Sequence, residues 1–165
     1  MAAGSTYTPL ATQTLGTAAG SITFSSISGS YTDLVLISTF GVTAGDDLYL
    51  RFNGDTGGNY STTRLWGNGT AVSSNRTTND TGIQPRTPAN QPSTVTTMYR
   101  GNIMNYANTT TYKTVLSRYD FASGAADADV GVWRNTAAIT SVTFLLLSST
   151  FVTGSTFTLY GIAAA

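Results

Sequence analysis

Apolar residues recur at every second position in four stretches: Ile22 and Phe24 in GSITFSSI; Leu34 and Leu36 in YTDLVLISTF; Leu48, Leu50 and Phe52 in DLYLRFN; and Phe157, Leu159 and Gly161 in STFTLYG. Successive side chains of a strand point to opposite faces, so a period of two predicts a strand with one buried face. Further strands are expected in TVTTMYRGNIMNY, YKTVLSRYDF, DVGVWRN and ITSVTFLLLSS. The last is so continuously apolar that cover on both of its faces is expected. Short turn-rich pieces separate these runs. Eight or nine such strands predict an all-β fold, an antiparallel β-sandwich that is jelly-roll-like. No period of 20 to 50 residues repeats and no heptads occur, which excludes solenoids and coiled-coil stalks.

Two regions break the rhythm. GNGTAVSSNRTTNDTGIQPRTPANQPS, residues 67–93, is polar and holds three of the four prolines, and it reads as a long surface loop. Residues 1–19 are also polar and are expected to form an N-terminal arm held by a neighbouring chain, leaving 20–165 as a single sandwich domain. Tyr7, Pro9 and Leu10 in the arm, and Pro85, Pro88 and Pro92 in the loop, are the candidate interface residues. The first three supply apolar anchors, and the prolines stiffen the loop and lower the entropy lost on docking. The start of the chain has neither the basic region nor the apolar core of a secretion signal. The longest apolar run, FLLL, is too short to span a bilayer.

Composition narrows the chemistry. The 165 residues include no Cys and no His, so imidazole acid–base chemistry, thiol nucleophiles, disulfides and the usual zinc sites are excluded. Glu is absent as well; eight Asp balance seven Arg and the single Lys113, and the net charge is zero. With no basic or acidic run, nothing favours a nucleic-acid or membrane-surface partner. Charged residues make up 10% of the chain against roughly 25% in an ordinary domain, so solubility rests on hydroxyls and amides.

RFNGDTGGNY, residues 51–60, is the stretch that most resembles a site. A calcium loop would use Asn53, Asp55 and Asn59 but lacks the bidentate Glu, and a phosphate cradle would need a Lys after the glycines. A hairpin turn needs only what is there, because Asn53-Gly54 is the dipeptide that adopts positive φ at both centres of a type I′ turn. The hairpin is the expected reading, with weak calcium contact through Asn53, Asp55 and Asn59 as the alternative. Asp46-Asp47 and Asp127/Asp129 could form carboxylate pairs of the glycosidase kind. Both read instead as turn residues bonded to their own backbone. Trp66 and Trp133 could form a sugar-stacking platform, but aromatics spaced along strands belong more often to a core or a subunit interface. No cofactor or required metal is expected.

YTPLATQTL, ITFSSISGSYTDLVLI, LRFNGDTGGNYS, VWRNTAAITSVTF and STFTLYGI together resemble small virion proteins and fibre-associated domains of tailed bacteriophages, including cyanophages. Ser28-Gly29 stands where that group would have Pro before the YTDL strand, and residues 67–93 match nothing in particular. The resemblance implies a non-enzymatic sandwich on the surface of the phage particle. Its first reading is a capsid decoration (cement) protein that contacts the major capsid protein and its own copies, as a homotrimer. The alternative is a tail fibre or adaptor part, or a carbohydrate-binding adhesin for host recognition. A short chain without a trunk favours decoration, and low net charge suits dense packing on a shell.

Overall fold

A computed structural model describes residues 6–85, 96–121 and 125–163. Eleven strands are present among them: β1 (Tyr7–Thr14), β2 (Ser21–Phe24), β3 (Asp33–Phe40), β4 (Leu48–Phe52), β5 (Tyr60–Gly67), β6 (Val72–Asp80), β7 (Thr97–Met104), β8 (Lys113–Phe121), β9 (Ala125–Trp133), β10 (Val142–Leu146) and β11 (Thr156–Ile162). They form two antiparallel sheets, an eight-stranded one in the order β1-β11-β3-β7-β8-β9-β5-β6 and a three-stranded one in the order β2-β10-β4. The first five strands alternate between the sheets, and the last two return to the centres of the pairs β2/β4 and β1/β3. This wrapping is the jelly-roll path. The fold class is therefore the expected one, with more strands than the eight or nine anticipated.

The alternating residues become the core. Leu34, Leu36 and Phe40 of β3, Leu48, Leu50 and Phe52 of β4, and Phe157 and Leu159 of β11 are all buried. Between the sheets Phe144 stands 5.6 Å from Phe40 and 5.0 Å from Tyr99, and Phe151 stands 5.0 Å from Phe157. Edge-to-face and offset aromatic pairs of this kind add stabilisation beyond the area they bury. A second cluster stacks Trp133 on Tyr60 at 6.2 Å and tilts it against Phe52 at 5.6 Å. The hydroxyl-rich exterior satisfies itself across strands: Thr12 with Thr158, Thr14 with Thr156, and Thr23 with Thr143 are joined Oγ1 to Oγ1 at 2.9–3.0 Å. Such cross-strand pairs are the sheet's equivalent of helical side-chain pairs.

Three expectations are corrected here. Residues 7–14 of the supposed arm form β1, paired along its length with β11, and Leu15 enters the core. Its order needs no neighbour, and removing residues 2–14 would strip a strand from the large sheet instead of trimming an anchor. Within the supposed loop, Val72–Asp80 forms β6, the partner of β5. β10 is not covered on both faces: Val142, Phe144 and Leu146 are buried, whereas Leu145 is half-buried and Leu147, just past the strand, is 52% exposed.

Candidate binding surface

The 53–59 segment is a turn, but it does not close a hairpin. β4 belongs to the small sheet and β5 to the large one, so the segment carries the chain from one layer to the other. Asn53 and Gly54 have φ of 52° and 67°, and the Asp55 N–H donates to the Phe52 carbonyl at 2.9 Å, which makes the expected type I′ turn. A Cβ on Gly54 would meet nothing within 4 Å, so its requirement is conformational alone. Gly54→Val is expected to cost about 1–2 kcal/mol in urea unfolding. A neutral result would mean the turn relaxes to another type.

The three candidate cation ligands are all engaged by protein. The Asn53 side-chain oxygen accepts the N–H groups of Thr140 and Ser141 at 2.8 and 3.1 Å, and its amide donates to the Ala138 carbonyl at 2.8 Å. The Asp55 carboxylate accepts the Gly57 N–H at 2.8 Å, the Asn59 amide at 2.9 Å and the Trp133 indole N–H at 2.7 Å. Asn59 thus turns a donor, not an oxygen, toward Asp55. Partial burial works to raise the Asp55 pKa, but the hydrogen bonds from Trp133, Asn59 and Gly57 outweigh it and hold the carboxyl below its ordinary value. The segment is a clamp that ties the inter-sheet turn to the buried end of β9. Among the described residues no group of three acidic, His or Cys side chains could hold a metal ion.

Asp127 and Asp129 are not turn residues. Both lie in β9 and face inward, 5% and 2% exposed. Asp129 pairs with the buried Arg64 of β5 (Nε to Oδ1, 3.6 Å) and accepts the Ser117 hydroxyl at 3.5 Å. Arg64 also donates to the carbonyl of Gln84 at 3.1 Å and, more distantly, to that of Pro85. Burial pushes the Asp129 carboxyl up to about 7; Arg64 pulls it down and Asp127 adds to the rise. Asp46 does sit in a loop, where it accepts the Ser148 and Ser149 N–H groups at 2.5 and 2.7 Å. The buried arginine was not singled out from the sequence, although Asp127, Asp129, Gly131 and Trp133 share the period of a strand face.

The opposite, outer face of the large sheet carries the most exposed aliphatic surface in a regular element. One row across β7, β8, β9 and β5 reads Asn102, Leu116, Val130, Thr63. The next reads Arg100, Arg118, Ala128, Leu65. Leu116, Val130 and Leu65 are 45, 44 and 53% exposed, and the small Ala128 leaves space between them. The two rows line a groove of about 480 Å³, which also reaches the buried Arg64, Ser117 and Asp129. A second opening, of about 560 Å³, lies between the free edges of β1 and β2 over Leu10, Phe24 and Leu159, and no charged side chain lines it.

The candidate interface residues divide. Tyr7 is 43% exposed, with its hydroxyl accepting from Arg100 Nη2 at 2.9 Å and its ring set edge-on to Tyr160. Pro9 is exposed on the edge strand β1, the kind of strand that tolerates proline, beside an irregularity in its pairing with β11. Leu10 packs against the core and Pro85 is buried, while Pro88 and Pro92 lie outside the described residues. Trp133 is a core residue at 1% exposure and Trp66 is half-buried.

No family model matches the chain. No curated protein matches it either. Among solved structures it is similar to galectin LEC-6 of Caenorhabditis elegans, with 8% identity and a TM-score of 0.34 over 87% of this chain and 90% of that one. Nothing about this chain follows from a likeness at that level.

Proposed function

We propose that the chain is a non-enzymatic structural protein of a phage particle, a capsid decoration protein that works through protein–protein contacts on the outer face of its large sheet. The observation that carries this is the half-exposed aliphatic floor of Leu65, Leu116 and Val130, set on rigid neighbouring strands. Contiguous apolar surface on an otherwise hydroxyl-covered domain marks a place where another molecule sits. The acids that could have served catalysis are committed elsewhere: Asp129 to Arg64 and Ser117, Asp55 to the turn, and Asp46 to Ser148 and Ser149. The resemblance to tailed-phage virion proteins adds the particle, its surface, the major capsid protein as partner, and a homotrimer as the arrangement. A glycan adhesin is the second reading, and it draws on Arg100, Asn102 and Arg118, which bring hydrogen-bonding groups to the groove. Sedimentation of the purified protein with tail-less heads is expected to bring it into the pellet at a fixed ratio to the major capsid protein. Failure to sediment, together with selective retention on a glycan array, would put the adhesin in its place.

A further inference from the structure

Arg100 and Arg118 stand directly opposite one another across β7 and β8 on the outer face. Like charges in that position destabilise a strand pair. The residues that continue their row, Ile37 on one side and Ala128 on the other, supply no countercharge. Asp120, two positions along β8 on the same face, accepts the Met98 N–H at 2.7 Å and brings the one carboxylate of β7 and β8 against the two arginines. Arg100 donates to the Tyr7 hydroxyl of β1 at 2.9 Å and to Asn102 at 3.3 Å, which draws its guanidinium toward β1, on the side of β7 away from Arg118, while its side chain still lines the groove. The pair forms one end of the groove, and Val130, Ala128 and Leu65 form the other.

We propose that this groove binds an extended acidic peptide segment of a partner protein, with a carboxylate on Arg118, in the positive field it shares with Arg100, and an aliphatic side chain over Val130 and Leu65. The assignment deepens the decoration reading and rests on it. Charge complementarity selects the carboxylate: a guanidinium fork matches it bidentately, and two arginines against one aspartate leave this face of β7 and β8 net positive. Spacing selects an extended chain. The two ends of the groove are about two strand intervals apart, roughly 10 Å, which is three residues of extended peptide. The lining selects peptide over sugar, because it sets Leu65, Leu116 and Val130 among its polar groups and includes no aromatic ring for a sugar face.

The test uses the full chain and a fluorescein-labelled peptide built from repeats of Glu-Asp-Val-Leu, compared with its Gln-Asn-Val-Leu counterpart and with a uronic acid oligosaccharide. The acidic peptide is expected to bind at least about tenfold more tightly than the amide peptide at low salt, and to weaken as salt is raised to about 200 mM. Arg118→Ala, at an exposed position, is expected to lose about tenfold in affinity with the melting temperature unchanged or raised, since it removes the like-charge pair. Leu65→Ser, also at an exposed position, is the second variant, with the same expected loss at the aliphatic end. Equal affinity for the two peptides, no binding, or binding indifferent to Arg118→Ala would overturn the assignment. So would preference for the uronic acid, or a self-association abolished by Leu65→Ser, which would make a second copy the occupant. The two readings fail separately: heads that still recruit the Arg118→Ala protein while peptide binding is absent sink the groove and spare decoration. Arginine-dependent peptide binding with no recruitment to heads does the reverse.

Discussion

Replacing Trp133 with alanine is expected to cost about 3–5 kcal/mol of unfolding free energy, because a large buried aromatic leaves both lost transfer energy and a cavity. Trp133 is 1% exposed, stacks on Tyr60, touches Phe52 and donates its indole N–H to Asp55. Its loss therefore also takes a donor from a carboxylate that holds the inter-sheet turn. Asp55→Asn is expected to cost about 1.5–3 kcal/mol, the usual value of hydrogen bonds to a charged group. Read as a plain turn, the segment would have tolerated that change almost freely. Combining Asp55→Asn with Trp133→Phe should give less than the sum of the single effects, since the first weakens and the second removes the same bond. Urea unfolding of the three variants measures this. Additive costs would show that Asp55 and Trp133 act independently. A small cost for Trp133→Ala, with lost ligand binding, would return that residue to the surface role of a sugar platform.

The second large effect is a dependence of stability on pH that runs opposite to the common one. The ordinary Asp value is 3.8, and burial raises that of Asp129 to about 7 in the folded chain. Between those values the folded protein keeps a proton that the unfolded chain has released. The contribution of Asp129 is thus fully present below about pH 4 and declines as pH rises to 7, by on the order of 4 kcal/mol at about 1.4 per unit. Asp46 and Asp55 behave in the other sense. Although burial opposes it, backbone hydrogen bonds to Asp46 and the Trp133, Asn59 and Gly57 bonds to Asp55 hold both below 3.8. Their contribution is complete above about pH 4 and is lost on further acidification. The two trends place maximum stability near pH 4–5, below the range of about 5–8 in which most proteins peak. Asp129→Asn should flatten the decline between pH 4 and 7. An unchanged slope in that variant would mean that another group is responsible.

Much of the sandwich was legible because its core strands obey the simplest rule. Leu48, Leu50 and Phe52 alternate with less apolar neighbours, and all three are fully buried. The rule fails where both faces of a strand meet water. β6, Val72–Asp80, is exposed or half-exposed throughout, so its sequence VSSNRTTND shows no period of two, and only its pairing with β5 makes it a strand. β1 was read as an arm for the same reason: at the sheet's edge its threonines face solvent. The two acids of β9 were misread for the opposite reason. ADADVGVW does alternate, but it puts aspartates where a strand would carry apolar side chains, and they are tolerated because Arg64 faces Asp129 from the adjacent strand. The groove left no local signal at all. Arg100, Arg118, Leu65 and Val130 come from four strands, and only the order β7-β8-β9-β5 makes them neighbours.

That strand order has a mechanical consequence at the other end of the sheet. β1 and β11 lie antiparallel with Tyr7 opposite Ile162, and the Ala163 N–H reaches the Thr6 carbonyl at 3.3 Å. A load applied between Thr6 and Ala163 acts on adjacent points of a single ladder, across the strands and not along them. It opens that ladder one rung at a time, as a zipper opens, instead of shearing every rung together. Each rung then resists alone, and β1 peels away while the aromatic core is still intact. A tether leaving the domain by one end only, with the opposing force spread over the groove face, spares the ladder altogether.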